Sequence, residues 1–586
     1  MRNLWSKIVA DIDIAQAMEH AKWLCDTIPE RKAGTEEERR AVEYFKDALN
    51  SYGVKTTIDE FDAHVSVPID SSLVVISPER KDIKTQTYGQ IAPTPPEGIE
   101  AEIFYMERGT EDDFEGVEVR GKIMLTSLGS PPWRPEKARI AMKKGVAGQI
   151  QINTGPRSSQ LLPYGTVKAV WGNPVPTNYE DMPTIPVVGI SAADGNALIE
   201  MCKKGPVKVR LKARAENGWR PVRQVMGWLQ GQSDEFMLVG GHFDCWGGGA
   251  TCNAVGNSAL LEIARAMAKN QAQLPKSIMF TMFTGHETGM SAGSAHFIDR
   301  NWDNLNRNAV AYTILDSVGI GGTTTLISRN TPEIVRFLKI VESDLLDRAI
   351  VHTPAQRVGD HSFYGMGLPT IFATTATKEA ADRAASEMGE SWGLSLGWFY
   401  HSDLDTFDRI GADVLLEDMR TQAAYISGFI SAPVPPYEFV SSCDIMRDRL
   451  KQVDAISRDF LPLGDVIKAV EALRVKAVQL DEAVAKANSG KSDRERVAAL
   501  SALQRRVCKT IMPVMKTLGG RYNQDSYGLM ATEKYLPGLE ALVAVAKAPK
   551  GSVRQRLNLT QAPRERNRIK DAVEEATLCI SKALKE

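Results

Sequence analysis

His242 and Asp244 stand two residues apart at the end of an apolar run, in EFMLVGGHFDCWGGGATCNAVGNSALLEIARAM. A His and an Asp at a strand end can build a metal site, with the Asp better placed to orient the imidazole than to bind the ion. A glycine run follows, and then Cys252, a thiol where a carboxylate would be expected. Three further residues sit at equivalent places. Glu287 follows SIMFTMFT, Asp316 follows AVAYTIL, and His401 lies in WFYHSDLDTFDRI. Six of the eight histidines fall between 242 and 401. Taken singly, a His after a strand is usually a hydrogen-bonded structural residue, and an Asp there is usually a helix cap. Taken together, two His and several carboxylates at one sheet edge suit Zn²⁺ or another divalent first-row metal, with Fe, Mn, Co and Ni left open.

Such convergence needs strands that end together. From about 222 to 435, short apolar runs (EFMLVGG, SIMFTMFT, AVAYTIL, PTIFAT) alternate with amphipathic stretches such as AVGNSALLEIARAMAKN and TPEIVRFLKIVESDLL. This pattern predicts an α/β sheet of buried parallel strands with helices on both faces. Ligands of such sheets bind at the carboxyl ends of the strands. Upstream, TEEERRAVEYFKDALNSYG reads as a Thr-capped helix with a Glu three residues on, and VKTTIDEF as a strand. Between 65 and 219 the texture changes to short β-like runs (SSLVVIS, IEAEIFYM, GKIMLTS, AGQIQIN, IPVVGIS) around a basic helix, EKARIAMKKG. That is the signature of an inserted β-rich module. After the Pro-rich SAPVPPYEF, residues 439–586 read as a helical bundle. The expected organisation is therefore 1–64 with 220–438, interrupted by 65–219, and followed by 439–586.

The bulk numbers agree with several domains. The chain has 586 residues, too many for one core. Lys+Arg 71 against Asp+Glu 73 gives a net charge near zero. With no basic stripe, a nucleic-acid partner is not expected. No run is long and apolar enough for a membrane span, and the N-terminus lacks the apolar core of a signal peptide. The seven cysteines form no CxxC pair. A reduced, cytoplasmic protein is the expectation.

The motifs together resemble the zinc exopeptidases of the M28 metallopeptidase family, in the branch of glutamate carboxypeptidase II and the transferrin receptor. GGHFDCWGGGATCNAVG is similar to that branch's His-x-Asp-x-Trp segment, HETGMSAGS to its Glu-Glu-x-Gly segment, and FYHSDLDTFD to its Tyr-His-Ser/Thr motif. GDHSFYGMGLPTIF resembles a further segment near the site; Asp360 and His361 are expected at the rim, with His361 more often a hydrogen-bonded structural residue than a functional one. The insertion resembles a protease-associated domain that caps the cleft. The C-terminal helices, with YLPGLEAL, resemble that branch's dimerisation domain, which implies a homodimer. The implied fold is a zinc-exopeptidase-type mixed sheet.

The resemblance implies two ions: one on His242 and Asp316, the other on Glu287 and His401. It implies that the bridging Asp is replaced by Cys252 and the general-base Glu by His286. Tyr400 matches a tyrosine that supports the tetrahedral intermediate. A thiolate bridges through one sulfur and is the metal-binding form of Cys. Asn253 is neutral and a poor substitute, so one ion or two both stay open; glutaminyl cyclases, relatives of the family, use one zinc. His286 is either a proton-transfer group or a third nitrogen ligand. The expected function is metal-dependent hydrolysis of an amide or peptide bond in a small substrate, with His286 moving protons and the metal and Tyr400 stabilising the oxyanion. The alternatives are cyclisation or elimination on the same fold, or an inactive transferrin receptor-like binding protein. The Lys-Tyr pair that binds glutamate in glutamate carboxypeptidase II is replaced by Met530 and Ala531, so selectivity for C-terminal glutamate is not expected.

Overall fold

The computed structural model describes residues 2–345, 348–355, 358–377, 396–490, 492–525 and 534–585. Met530 and Ala531 lie outside the described residues. Fourteen strands of the described residues form one mixed sheet. In chain order they are β1 (Lys55–Ser77), β2 (Lys81–Ile83), β3 (Gln86–Thr87), β4 (Ile99–Tyr105), β5 (Ile123–Ser127), β6 (Gly148–Ile152), β7 (Val187–Ile190), β8 (Val207–Leu229), β9 (Phe236–His242), β10 (Ser277–Phe283), β11 (Ala309–Ile314), β12 (Thr325–Asn330), β13 (Ala349–Pro354) and β14 (Thr370–Ala376).

The part that positions the site is β13-β12-β14-β11-β9-β10-β8. β10 and β11 both run parallel to β9, and β14 runs parallel to β11. β8 is antiparallel to β10, and β12 is antiparallel to β14 but parallel to β13. Four parallel strands therefore end at one edge. The sequence of β9 explains its central place. Met237 and Val239 enter the larger core with helices such as Val255–Lys269. Phe236 and Leu238 enter a second core with Phe283, Phe297, Tyr312 and Phe363 on the opposite face. A strand buried on both faces has no polar side to alternate with, and so reads as a continuous apolar run.

The inserted module is joined by two long strands, with no loop between the bodies. β1 pairs antiparallel with β8 from Lys55↔Trp228 to Ser77↔Lys208, with register shifts after Pro68 and Val75. The runs VKTTIDEF and SSLVVIS, read as separate strands in the sequence, are two ends of β1. Pro68 lacks an N–H and falls at the first register shift, so the break seen in the sequence is a local irregularity in one strand. β12 and β13 were not anticipated. Both are short and carry polar or charged residues (TLISRN, AIVHTP), so neither shows a strand's apolar pattern.

The C-terminal helices Val440–Ser457, Gly464–Asn488, Arg494–Lys516 and Val553–Ala583 form as expected. They have no separate core. Leu450, Val470, Ile511 and Val573 belong to the same buried cluster as Val239. No helix among the described residues is long and apolar enough to cross a membrane.

Candidate metal centre

His242 is the last residue of β9, Glu287 follows β10, and Asp316 follows β11. His401 and Tyr400 come from the loop before the helix Ala412–Ser431. Cys252 lies in the turn between β9 and the helix Val255–Lys269, where its backbone is non-helical. That turn is held from several sides. Buried Arg31 donates to the carbonyls of Phe243 at 2.9 Å and Gly249 at 3.2 Å. Gly249 takes φ +50°, and a Cβ there would meet Cys245 Sγ at 2.5 Å. Asp405 accepts from Thr251 N at 2.9 Å, Thr251 Oγ1 at 2.8 Å and Cys252 N at 3.2 Å.

The five candidate ligands converge, and Cys252 is at their middle. Its sulfur lies 3.8 Å from His242 Nε2, 3.3 Å from Glu287 Oε1 and 3.3 Å from His401 Nε2. His242 Nε2 is 3.6 Å from Asp316 Oδ1, and His401 Nε2 is 2.7 Å from Glu287 Oε1. Two triads of donor atoms, His242–Cys252–Asp316 and Cys252–Glu287–His401, each fall within 4.8 Å, with the sulfur common to both. A third, His242–His286–Glu287, meets the same limit. All five ligands are buried. Asn253 is no metal ligand here: its amide nitrogen donates to the carbonyls of His242 and Leu315, and its oxygen accepts from Gly256 N.

The charges are tightly coupled. Burial pushes His242 down, but Asp244, Asp316 and Cys252 together raise it well above the ordinary histidine value. Burial pushes Glu287 up, yet His401, with His286 and His242, holds it well below the ordinary carboxylate range. Burial raises the Cys252 thiol, reinforced by Glu287. A cation would replace these mutual partners, since donors of this kind bind metal in their deprotonated forms.

Asp244 acts differently from the expectation. Its carboxylate accepts from the backbone N–H groups of His286 at 2.9 Å, Glu287 at 2.9 Å and Thr288 at 3.3 Å, and so fixes the turn that carries Glu287. It orients His242 through its main-chain carbonyl, 3.0 Å from Nδ1, while the carboxylate is 3.7 Å away. A carbonyl only accepts, so Nδ1 carries the hydrogen and Nε2 faces the centre. His286 stacks on His242 with ring centroids 4.0 Å apart. Tyr400 donates to Cys252 Sγ at 2.9 Å and lies 3.1 Å from Ser317 Oγ. Neither Asp360 nor His361 is at the expected rim: both are fully buried, and His361 has the expected hydrogen-bonded structural role, bonded to the Tyr364 hydroxyl at 2.7 Å and edge-on to Tyr312 and Phe372.

Three residues at the centre had no role assigned from the sequence. Trp246 Nε1 donates to Glu287 Oε2 at 2.5 Å. Ser317 donates to Asp316 Oδ1 at 3.0 Å. Asp405 holds the Cys252 turn as described. Trp246 and Asp405 lie inside motif segments and Ser317 adjoins Asp316, so place in or beside a motif was the available signal. The cleft above the centre is walled partly by the insert, through Trp133, Arg134, Thr166 and Trp171. The insert is locked in place there: Tyr164 N donates to His401 O at 2.9 Å, and buried Lys168 Nζ donates to Gly289 O at 3.0 Å.

Comparison with known proteins agrees with this geometry. Residues 224–426 match the profile described as Peptidase family M28, and residues 89–198 match the PA domain. All five candidate ligands, His286 and Tyr400 fall within the first match. The chain is 24% identical over 373 residues to "Probable glutamate carboxypeptidase VP8" of Zea mays, covering 54% of this chain and 52% of that protein. It is 28% identical over 299 residues to "Aminopeptidase YwaD" of Bacillus subtilis (strain 168), covering 50% and 60%. The chain thus spans about half the length of these curated relatives. The solved "Aminopeptidase from Aneurinibacillus sp. strain AM-1" shares the fold, with a TM-score of 0.54, 23% identity, and coverage of 72% of this chain and 96% of that one.

Proposed function

We propose that this chain, which carries an M28-type peptidase domain and an inserted PA domain, is a metal-dependent hydrolase acting on an amide or peptide bond of a small substrate. The observation that carries the reading is the position of Cys252 Sγ, shared by two triads of donors with Glu287–His401 on one side and His242–Asp316 on the other. Five buried donors of metal-binding type around one point are not what a degraded site retains.

The residues fit a divalent cation. Two imidazoles, two carboxylates and one thiol suit Zn²⁺ or a neighbouring first-row metal. His242, Asp316 and Cys252 would hold one ion, and Cys252, Glu287 and His401 a second. Bound there, the metal supplies Lewis acidity towards a carbonyl oxygen and towards water. The protein supplies the rest. His286, at the cleft wall, moves the proton between water and the leaving amine. Tyr400 donates to the oxyanion once a substrate oxygen takes the place of the Cys252 sulfur as its acceptor. Trp246 and Asp244 keep Glu287 in place. Trp133, Arg134 and Trp171 narrow the cleft, which favours small substrates.

Two further parts belong to the proposal. Cys252 as a donor requires a reducing setting, and all seven cysteines are free thiols, so a cytoplasmic location is part of the reading. The protein is a homodimer through residues 439–586. In support, Val553 and Leu557, one turn apart on the helix Val553–Ala583, are 74% and 66% exposed.

The test is the metal content per chain of protein purified without chelator, together with turnover of aminoacyl anilides and dipeptides. One or two equivalents with hydrolysis is the expected result. No bound metal sinks the reading. Metal with cyclised or eliminated product in place of hydrolysis would keep the centre and replace the reaction.

A further inference from the structure

His286 and Asp360 face each other behind the cleft wall. Asp360 is fully buried, and neither carboxylate oxygen has a hydrogen-bond partner among the described residues. Its Oδ2 lies 3.5 Å from His286 Nδ1. A buried carboxylate without donors is costly to keep, and the imidazole is the group it faces. His286 and the neighbouring Gly359 line the cleft, whereas Asp360 does not.

A second contact agrees with a hydrogen on Nδ1. Ser291 Oγ lies 3.2 Å from the same Nδ1 and 3.3 Å from Gly359 O, the acceptor left for its single hydrogen when Nδ1–H serves the carboxylate. A hydroxyl used that way can only accept from the ring. Nδ1 therefore lies between two acceptors and bears the hydrogen. In a neutral imidazole, Nε2 is then the proton acceptor. The stacked ring of His242, with planes 15° apart, limits tilting of His286.

We propose that Asp360 is the positioning residue of His286: with Ser291 it holds the Nδ1–H tautomer and leaves Nε2 as the proton-accepting nitrogen. This rests on the reading of His286 as the proton-transfer group. It gives a buried carboxylate a task that packing alone does not.

The test reads the tautomer directly. Protein labelled with ¹⁵N-histidine is examined before and after zinc loading, with His286 assigned by its loss in His286→Gln. The expected spectrum has a protonated Nδ1 and an unprotonated Nε2. Asp360→Asn, whose amide can donate to Nδ1, reverses the pair. On a substrate the wild type hydrolyses, the same variant loses about a hundredfold in kcat with KM and metal content unchanged, and Asp360→Glu recovers part of the loss. An Nε2–H tautomer in the wild type overturns the inference whether or not any variant folds. An unchanged tautomer and kcat in Asp360→Asn also overturn it. The expected tautomers in a protein without hydrolytic turnover would support the positioning role while sinking the proposed function.

Discussion

The hydroxyl of Tyr400 donates to the sulfur of Cys252 at 2.9 Å and has Ser317 Oγ 3.1 Å away as a second neighbour. A phenol kept at this place by a weak sulfur acceptor can transfer its hydrogen bond to a stronger one. Burial raises Tyr400 well above the ordinary tyrosine value, so it remains a donor. Tyr400→Phe should lower kcat by about a hundredfold, the usual cost of removing one oxyanion donor. KM and metal content should change little. Steady-state kinetics check this, and a loss confined to KM would show that Tyr400 binds the ground state and the transition state equally.

Cys252 makes a second prediction. With cobalt in place of zinc, a ligating thiolate produces an intense near-ultraviolet charge-transfer band. The wild type should show it and Cys252→Ser should lose it. Cys252→Asp should still bind metal by elemental analysis, without the band. If the band is absent from the cobalt-loaded wild type, the sulfur is not a ligand.

Asp405 acts on the centre from outside. Its carboxylate takes hydrogen bonds from Thr251 N, Thr251 Oγ1 and Cys252 N. Asp405→Ala leaves those donors unsatisfied in a buried turn. We expect a loss of about 1–3 kcal/mol in stability and of about 10- to 100-fold in metal affinity. Thermal unfolding and chelator competition measure the two. Destabilisation with unchanged affinity would make Asp405 a fold residue alone.

How much of this was legible in the sequence depended on whether the signal was local. β9, β10, β11 and β14 announced themselves as apolar runs, and the strand-end placement of His242, Glu287 and Asp316 followed. The charged β12 and the polar β13 did not: β12 is fully buried despite its polar residues, and β13 is mostly half-buried with no apolar face to announce it. The role of Asp244 was half legible: its proximity to His242 was plain, but the backbone of residues 286–288 that its carboxylate binds is brought there by β10. For His361 the structural role was legible and the position was not. Its place beside Asp360 in a motif pointed to the site, whereas its ring turns into the aromatic cluster of Tyr312, Tyr364 and Phe372.

The dimer proposal gives a fourth prediction. Val553→Glu with Leu557→Glu should shift the protein from dimer to monomer by light scattering at micromolar concentration, with its far-ultraviolet circular dichroism unchanged. A wild type that is already monomeric there contradicts the proposal outright.

Glu38 makes the last prediction. Its spacing from Thr35 suggested a reciprocal helix cap. Thr35 does cap the helix Glu36–Ser51, accepting from Glu38 N at 3.4 Å, but the Glu38 side chain turns inward. It is 1% exposed, receives the Thr284 hydroxyl, and accepts from Arg223 N at 3.3 Å. Burial raises its pKa from 4.5 to about 8, against the lowering effect of Thr284. Between those values the native state keeps a proton that the unfolded chain releases. This contribution to stability is complete below about pH 4.5 and falls as pH rises towards 8, by up to about 1.4 kcal/mol per pH unit. Buried Lys137 and Lys168, each lowered by burial to about 7, act with the opposite sign from there upwards, so wild type alone would show a blurred profile. The difference between wild type and Glu38→Gln cancels them. Glu38→Gln should match wild type near pH 4.5, gain on it steadily to pH 8, and keep a constant advantage above. Denaturant unfolding at five pH values tests this, and a difference that does not vary with pH would mean that Glu38 is ionised in the native protein.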